Sequence, residues 1–351
     1  MRIIHLVWTF EIGGTQTMLV DIINEQVKSA EIHLIIVNNT IDPDLLKSVS
    51  KQAKIHRINR HPKTWSIFRM VYLNFLTAII KPDVIHCHAP TLIRFLIFRH
   101  LLKHKTVLTI HSIITSYKEL AEYDQLIAIS EAVKKAVTNN SDLLVKTICN
   151  GVILWKGQEK KDDSNRRFKI VQVGRLEHLI KGQHILIDAL EALVNKDPEQ
   201  NITIDFIGSG GSDRILKEQS SRLGLDNHIR FLGSKNKNDI YALLKGYHLL
   251  VHPSLVEGFG LPIAEAMTTR MPVLVSNIEA TMEIINGGSL GYFFETNNYQ
   301  DCAEKIKKIR EEYGSSEQKE ILEKAYVYVE QNFNVQVTAK KYLDEYERQM
   351  K

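Results

Sequence analysis

Cysteine and long apolar runs are scarce in this 351-residue sequence, and it contains no low-complexity tract. The three cysteines, Cys87, Cys149 and Cys302, are scattered and odd in number. That excludes a disulfide framework or cysteine metal cluster and fits a reducing, cytoplasmic setting. The longest apolar stretch, Met70 to Ile80, falls well short of the about 20 residues that span a bilayer. MRIIHLVWTF has one arginine, a short apolar run and no small-residue cleavage site, so it reads as a first strand rather than a signal peptide. A soluble or peripheral protein is expected.

What is present fits packed cores. Hydrophobic residues make up 44% of the chain, and its length suggests two domains. Short β-branched runs alternate with helical patterns, which predicts βαβ units and parallel sheets. Strands are expected at 3–8, 32–37, 54–58, 84–87, 106–110, 126–129 and 147–149, then at 170–173, 202–207, 229–232, 249–252, 273–275 and 292–294. The charge-dense run KGQEKKDDSNRRFK interrupts the periodicity between the two series. The expected organisation is α/β: a Rossmann-like domain at 1–154, a linker at 155–168 and a second Rossmann-like domain at 169–336, facing across a cleft. A last helix is read near the C-terminus, with 337–351 assigned to the first domain. Charge divides unevenly: residues 1–154 carry 18 Lys+Arg against 12 Asp+Glu and nine of the 14 histidines. Such a half suits an anionic membrane surface or a phosphate-bearing acceptor, or is ordinary solvated surface.

The most informative stretch is HPSLVEGFGLPIAEAM, His252 to Met267. It puts Glu257 on a loop and Glu265 in the first turns of a helix that Pro262 is suited to start. Gly258 and Gly260 let backbone amides approach a ligand, and a helix N-terminus attracts phosphate. A strand, turn and amphipathic helix with solvated glutamates is the plainer alternative. Upstream, GRLEHLIKG places Arg175 and Lys181 between Gly174 and Gly182, where guanidinium and ammonium can clamp a diphosphate as negative charge develops on it.

These two stretches, E-x7-E after His-Pro-Ser and G-R-x(n)-K-G, resemble the signatures of retaining glycosyltransferases of the two-Rossmann-domain (GT-B) type, family 4. The resemblance covers nearly the whole chain. It implies transfer of a sugar, with retention, from a nucleoside diphosphate sugar to a hydroxyl of a glycan or lipid-linked acceptor. UDP-sugar is favoured over GDP-sugar. It further implies hexosyltransferase activity, no cofactor, no metal, no nucleic acid partner, and a role in bacterial surface polysaccharide or lipopolysaccharide synthesis at the cytoplasmic face of the inner membrane. By the same resemblance Glu257 binds donor hydroxyls, Glu265 the ribose, and Arg175 with Lys181 the leaving diphosphate. Gly14, Gly174, Gly208, Gly233, Gly258, Phe259, Gly260 and Leu261 line the donor. His111, closing a T-x-H, meets the transferred sugar or the acceptor hydroxyl. The C-terminal helix crosses back to the first domain. The chain departs from the family at IEATMEII, where Glu279, Ala280 and Thr281 stand in place of a common glycine pair.

Other features were weighed beside these. Gly208, Gly210 and Gly211 nearly match a dinucleotide fingerprint, but Asp213 takes the third glycine position and the turn follows the second strand of its series, so a NAD-dependent oxidoreductase is the weaker alternative. A noncatalytic nucleotide-sugar-binding subunit is another, disfavoured by the retained glutamates and cations. His86 and His88 have strand alternation and are expected on opposite faces, and His86, His88 and His111 lack a carboxylate to complete a metal site. Ser130 reads as a helix N-cap. Asp42 and Asp44 read as turn or helix-start residues. WSIFRMVYLNFLTAII and TLIRFLIFRHLLKHK read as apolar helices with interspersed cations, which packing against the sheet explains better than membrane contact, a mixed outcome with one helix partly exposed being the intermediate case.

Overall fold

The computed structural model describes residues 1–62, 64, 66–99, 103–113, 116–155, 167–197 and 201–350. The chain forms two compact units, residues 1–153 with 333–351 and residues 154–332. Most of the expected linker lies outside the described residues.

The first unit holds a parallel seven-stranded sheet of β1 (Arg2–Val7), β2 (Glu31–Asn38), β3 (Lys54–Arg60), β4 (Val84–Cys87), β5 (Lys105–Ile110), β6 (Gln125–Ala128) and β7 (Val145–Thr147), in the order β3-β2-β1-β4-β5-β6-β7. Apart from their first residues, β1 and β2 are buried throughout, as strands covered on both faces must be. The seventh strand starts two residues earlier than its sequence pattern suggested. Ser130 caps the helix Glu131–Thr138 by accepting from the Val133 amide at 3.0 Å, and Asp42 caps Pro43–Lys47 through the amides of Asp44 and Leu45.

The C-terminal helix Val335–Met350 belongs to this unit and packs on the helix Gly14–Gln26. Gly151 makes the close approach at its start: a Cβ there would lie 2.5 Å from the Val335 Cα. The Lys146 ammonium pairs with the Glu345 carboxylate.

One expectation about the apolar stretches is corrected. TLIRFLIFRHLLKHK is not an α-helix: Pro90–Phe95 is a 3-10 helix followed by a turn, and residues 100–102 lie outside the described residues. Its backbone groups are taken by side chains. Asn74 donates to the Phe95 carbonyl and accepts from the Phe98 amide, while the Tyr123 hydroxyl accepts from the Ile93 amide and donates to the Pro90 carbonyl. The other stretch does form a helix, Ile67–Ile80, but packing uses only its Met70, Leu73, Asn74, Thr77 and Ile80 side. Ile67, Phe68, Val71, Tyr72, Phe75 and Ile79 are exposed, Phe68 at 88%. At 100° per residue these six fall within one continuous face.

The second unit holds a parallel six-stranded sheet of β8 (Phe168–Val173), β9 (Ile202–Ile207), β10 (Ile229–Phe231), β11 (Leu249–His252), β12 (Val273–Ser276) and β13 (Tyr292–Phe294), in the order β10-β9-β8-β11-β12-β13. Its core runs from Ile170, Ile204 and Val251 to the helix residues Leu186, Leu190 and Ile306. Among the described residues no helix is long and apolar enough to cross a membrane.

Candidate functional site

In each sheet the strand order reverses once, between β1 and β4 and between β8 and β11, where open parallel sheets leave a crevice at their carboxyl ends. Both groups of notable side chains lie at these points.

In the second unit the chain after β8 turns at Gly174, forms one helical turn, His178–Lys181, and enters the helix Gln183–Lys196 at Gly182. Gly182 has φ +65, and a Cβ there would lie 1.9 Å from the Pro253 carbonyl oxygen. The Leu255 amide donates to the Ile180 carbonyl at 2.8 Å, so the segments after β8 and β11 are stapled together. Gln183 donates to the Arg175 carbonyl and Gln172 to the Lys181 carbonyl. The staple delivers Lys181 Nζ to Glu257 Oε2 at 2.6 Å.

His252 Nε2 donates to the same carboxylate oxygen at 2.9 Å, and Ser254 Oγ lies 3.0 Å from that nitrogen. Burial would raise the Glu257 carboxyl, but the hydrogen bonds and charges of His252 and Lys181 outweigh it and hold the group well below the usual carboxylate range. Glu257 is therefore a fixed anion. Its sequence position marked it, but His252 and Ser254 were seen only as part of a motif, and their contact with it is a tertiary fact.

The other expected donor residues are distributed as follows. Arg175 is largely exposed and pairs with Glu177 at 3.3 Å, so the structure does not bring it onto Lys181's carboxylate. Gly260, at φ +106, precedes the helix Leu261–Thr268, in which Glu265 is buried with Lys237 Nζ 3.9 Å away. Phe259 is buried and Gly258 donates to Glu257 Oε1 at 3.2 Å.

Gly174 and Gly208 meet closely: a Cβ on Gly208 would sit 2.0 Å from the Gly174 carbonyl oxygen, and one on Gly210 2.4 Å from that of Leu176. The Gly208 amide donates to the Gly233 carbonyl. These glycines of the near-fingerprint thus serve contact between the neighbouring loops that follow β8 and β9.

In the first unit Gly13 is the extended N-cap, and Gly14 the first residue, of the helix Gly14–Gln26. At the β1/β4 reversal His5 and His86 are register partners. His88 does not point away from His86 as alternation predicted: their ring centroids are 4.2 Å apart. β4 ends at Cys87, so His88 lies beyond the strand and escapes its parity.

The rings form two hydrogen-bonded sets. His86 Nδ1 meets the Tyr346 hydroxyl at 2.6 Å and its Nε2 meets Thr109 Oγ1 at 2.7 Å. His5 Nε2 meets Gln26 Oε1 at 2.8 Å, His5 Nδ1 meets His88 Nε2 at 3.1 Å, and His88 Nδ1 meets His111 Nε2 at 3.1 Å. Burial depresses all four, His5 to about 4 against the opposing Gln26 bond and His111 to about 4, so they are neutral at pH 7. Ligand atoms of His5, His86 and His88 lie within 4.8 Å of one another, but those of His86 and His5 are already occupied by protein partners. Sequence reading missed His5, Gln26 and Tyr346, whose proximity depends on sheet order.

Comparison with known proteins agrees across both units. The family profile for Glycosyl transferases group 1 matches residues 155–327, and that for Glycosyltransferase Family 4 matches residues 12–155. An uncharacterized glycosyltransferase of Methanocaldococcus jannaschii is 28% identical over 73% of this chain and 74% of its own length. The capsular polysaccharide biosynthesis glycosyltransferase CapM of Staphylococcus aureus is 29% identical over 52% of this chain, which spans 51% of that relative. The crystal structure of Anabaena HepE in complex with UDP and glucose superposes with TM-score 0.81 at 22% identity, covering 99% of this chain and 100% of that one.

Proposed function

The chain belongs to the family 4 glycosyltransferases and has their GT-B fold, and from that premise we propose that it transfers a hexose from a UDP-sugar, with retention, to a hydroxyl of a growing surface glycan. The observation that carries the reading is the partly buried cluster of Lys181, Glu257 and His252, formed where the segments after β8 and β11 meet. Glu257 is an acceptor-only group at neutral pH, suited to donor hydroxyls. Lys181 supplies a fixed cation for the diphosphate as it leaves, together with the more mobile Arg175, so no metal is required. Glu265 would take ribose hydroxyls near the glycine-led start of its helix. His111 would accept from a sugar hydroxyl. The preference for UDP is supported by the nucleotide bound to HepE, and the glycan role by the biosynthetic name of CapM. Incubation with UDP-hexoses in the presence of chelator, read by proton NMR at the anomeric centre, tests the reaction.

A second reading concerns location. The exposed face of the helix Ile67–Ile80, with Arg69 and Lys81 exposed beside it, suits the boundary of an anionic bilayer, where its apolar side chains would leave water. Co-sedimentation with phosphatidylglycerol vesicles is expected, weakened by salt. A Phe68→Ser, Phe75→Ser double variant should bind at least about tenfold more weakly, since each buried aromatic contributes on the order of 1.5–3 kcal/mol. Absence of binding by the unmodified protein would refute the membrane role and leave the transferase reading intact.

A further inference from the structure

The row from Gln26 through His5 and His88 to His111 has a direction. Its first member decides it. Gln26 Oε1 can only accept, so His5 Nε2 carries the hydrogen of the 2.8 Å bond. Neutral His5 then has a bare Nδ1, which accepts from His88 Nε2–H at 3.1 Å. His88 Nδ1 is bare in turn and accepts from His111 Nε2–H at 3.1 Å. That leaves His111 Nδ1 as a lone pair, buried and without a hydrogen-bond partner among the described residues.

The Tyr346 phenol is the natural donor to His86 Nδ1, and Gln26 faces His5 with Oε1, its Nε2 having no hydrogen-bond partner among the described residues. The other imidazole, His86, has both nitrogens engaged by Tyr346 and Thr109 and does not compete for the row.

We propose that Gln26, His5 and His88 are positioning residues that lock His111 in its Nε2–H tautomer, so that Nδ1 accepts a hydrogen bond from a substrate hydroxyl. The inference rests on the reading above that His111 meets substrate, and it specifies the partner: a hydroxyl donor, not a phosphate oxygen, which a bare nitrogen would repel. It also explains buried, uncharged polar groups aligned at the reversal of the sheet, where desolvation without satisfied hydrogen bonds is costly.

The test uses the full chain with 15N-labelled histidine, the rings assigned by single substitutions. At pH 7.5 the unmodified protein should show His5, His88 and His111 protonated at Nε2 and bare at Nδ1. Gln26→Met, close in shape but unable to accept, should turn the His111 signal into a tautomer mixture. It should also lower kcat at least about tenfold, a fraction of the 10²–10⁴ that a positioned acid–base group supplies, with donor KM unchanged. A His111 protonated at Nδ1 in the unmodified protein would overturn the proposal even if His111→Ala were inactive. So would an unchanged tautomer and kcat in Gln26→Met. A fully active His111→Ala would instead remove His111 from the substrate, and with it the role of the row, while the measured tautomers still stood as structure.

Discussion

Lys181→Ala should lower kcat for transfer by about 10²–10³, the usual cost of removing one preorganised group that stabilises developing oxyanion charge. Lys181 is the cation held in place by the fold: it closes a helical turn, and Nζ is anchored at 2.6 Å on the partly buried Glu257 carboxylate. Arg175, largely exposed and paired with Glu177, is less constrained, so Arg175→Ala should cost less than Lys181→Ala. Equal losses for the two variants, or a Lys181→Ala enzyme within twofold of normal, would count against the assigned roles.

The same substitution has an acid signature. The Glu257 pKa is depressed in the folded state, so its ionisation stabilises the fold above the unfolded carboxyl value of 4.5, and that contribution drains away as pH falls below it. Removing Lys181 shrinks the depression, so acid unfolding should begin at higher pH than in the unmodified protein. An unchanged acid limb would mean that Lys181 contributes little to the Glu257 charge.

Gly182→Ala should destabilise the second unit by about 3 kcal/mol or more. Two costs add there. A non-glycine residue in the left-handed region loses roughly 1–2 kcal/mol, and forced overpacking costs roughly 1–3 kcal/mol more. The new Cβ would sit 1.9 Å from the Pro253 carbonyl oxygen, which is backbone and cannot rotate away. At roughly 2–4 °C per kcal/mol the melting midpoint should fall by about 6–12 °C. Because the Gly182–Pro253 contact is what seats Lys181 against Glu257, any folded fraction should also transfer poorly. Gly211→Ala, where an added Cβ meets nothing within 4 Å, is the contrasting control and should be nearly silent. A silent Gly182→Ala would mean the two loops are not stapled in solution.

Local patterns were legible where local chemistry decides the outcome. Ser130 and Asp42 cap helices because their oxygens reach amides two or three residues on, and the strands follow runs of β-branched residues. The segments proposed to bind the donor are visible for the same reason: glycine, proline and charge fall at fixed offsets along a strand–turn–helix. What failed was non-local. The stretch after Pro90 has a helical pattern, but Asn74 and Tyr123 capture its backbone groups. The pairing of Lys181 with Glu257 spans 76 residues, and that of His86 with Tyr346 spans 260. His5 carried no distinguishing signal, because only the neighbouring of β1 and β4 brings it to His86 and His88. Sequence periodicity does not say how much of an apolar helix a sheet can cover, so the extent of the outward apolar face of the helix Ile67–Ile80 is seen only in the fold.

The most direct measurement is the anomeric proton of the sugar released or transferred when the protein is incubated with UDP-hexoses and chelator, sampled before mutarotation. Retaining chemistry on an α-linked donor yields the α-anomer first, with its small coupling, and the signal should be lost in Lys181→Ala. A first-formed β-anomer would contradict retention. Failure to consume any UDP- or GDP-hexose above the protein-free rate, in the presence of glycan and lipid-linked acceptors, would contradict the assignment of the Lys181–Glu257 site to sugar transfer.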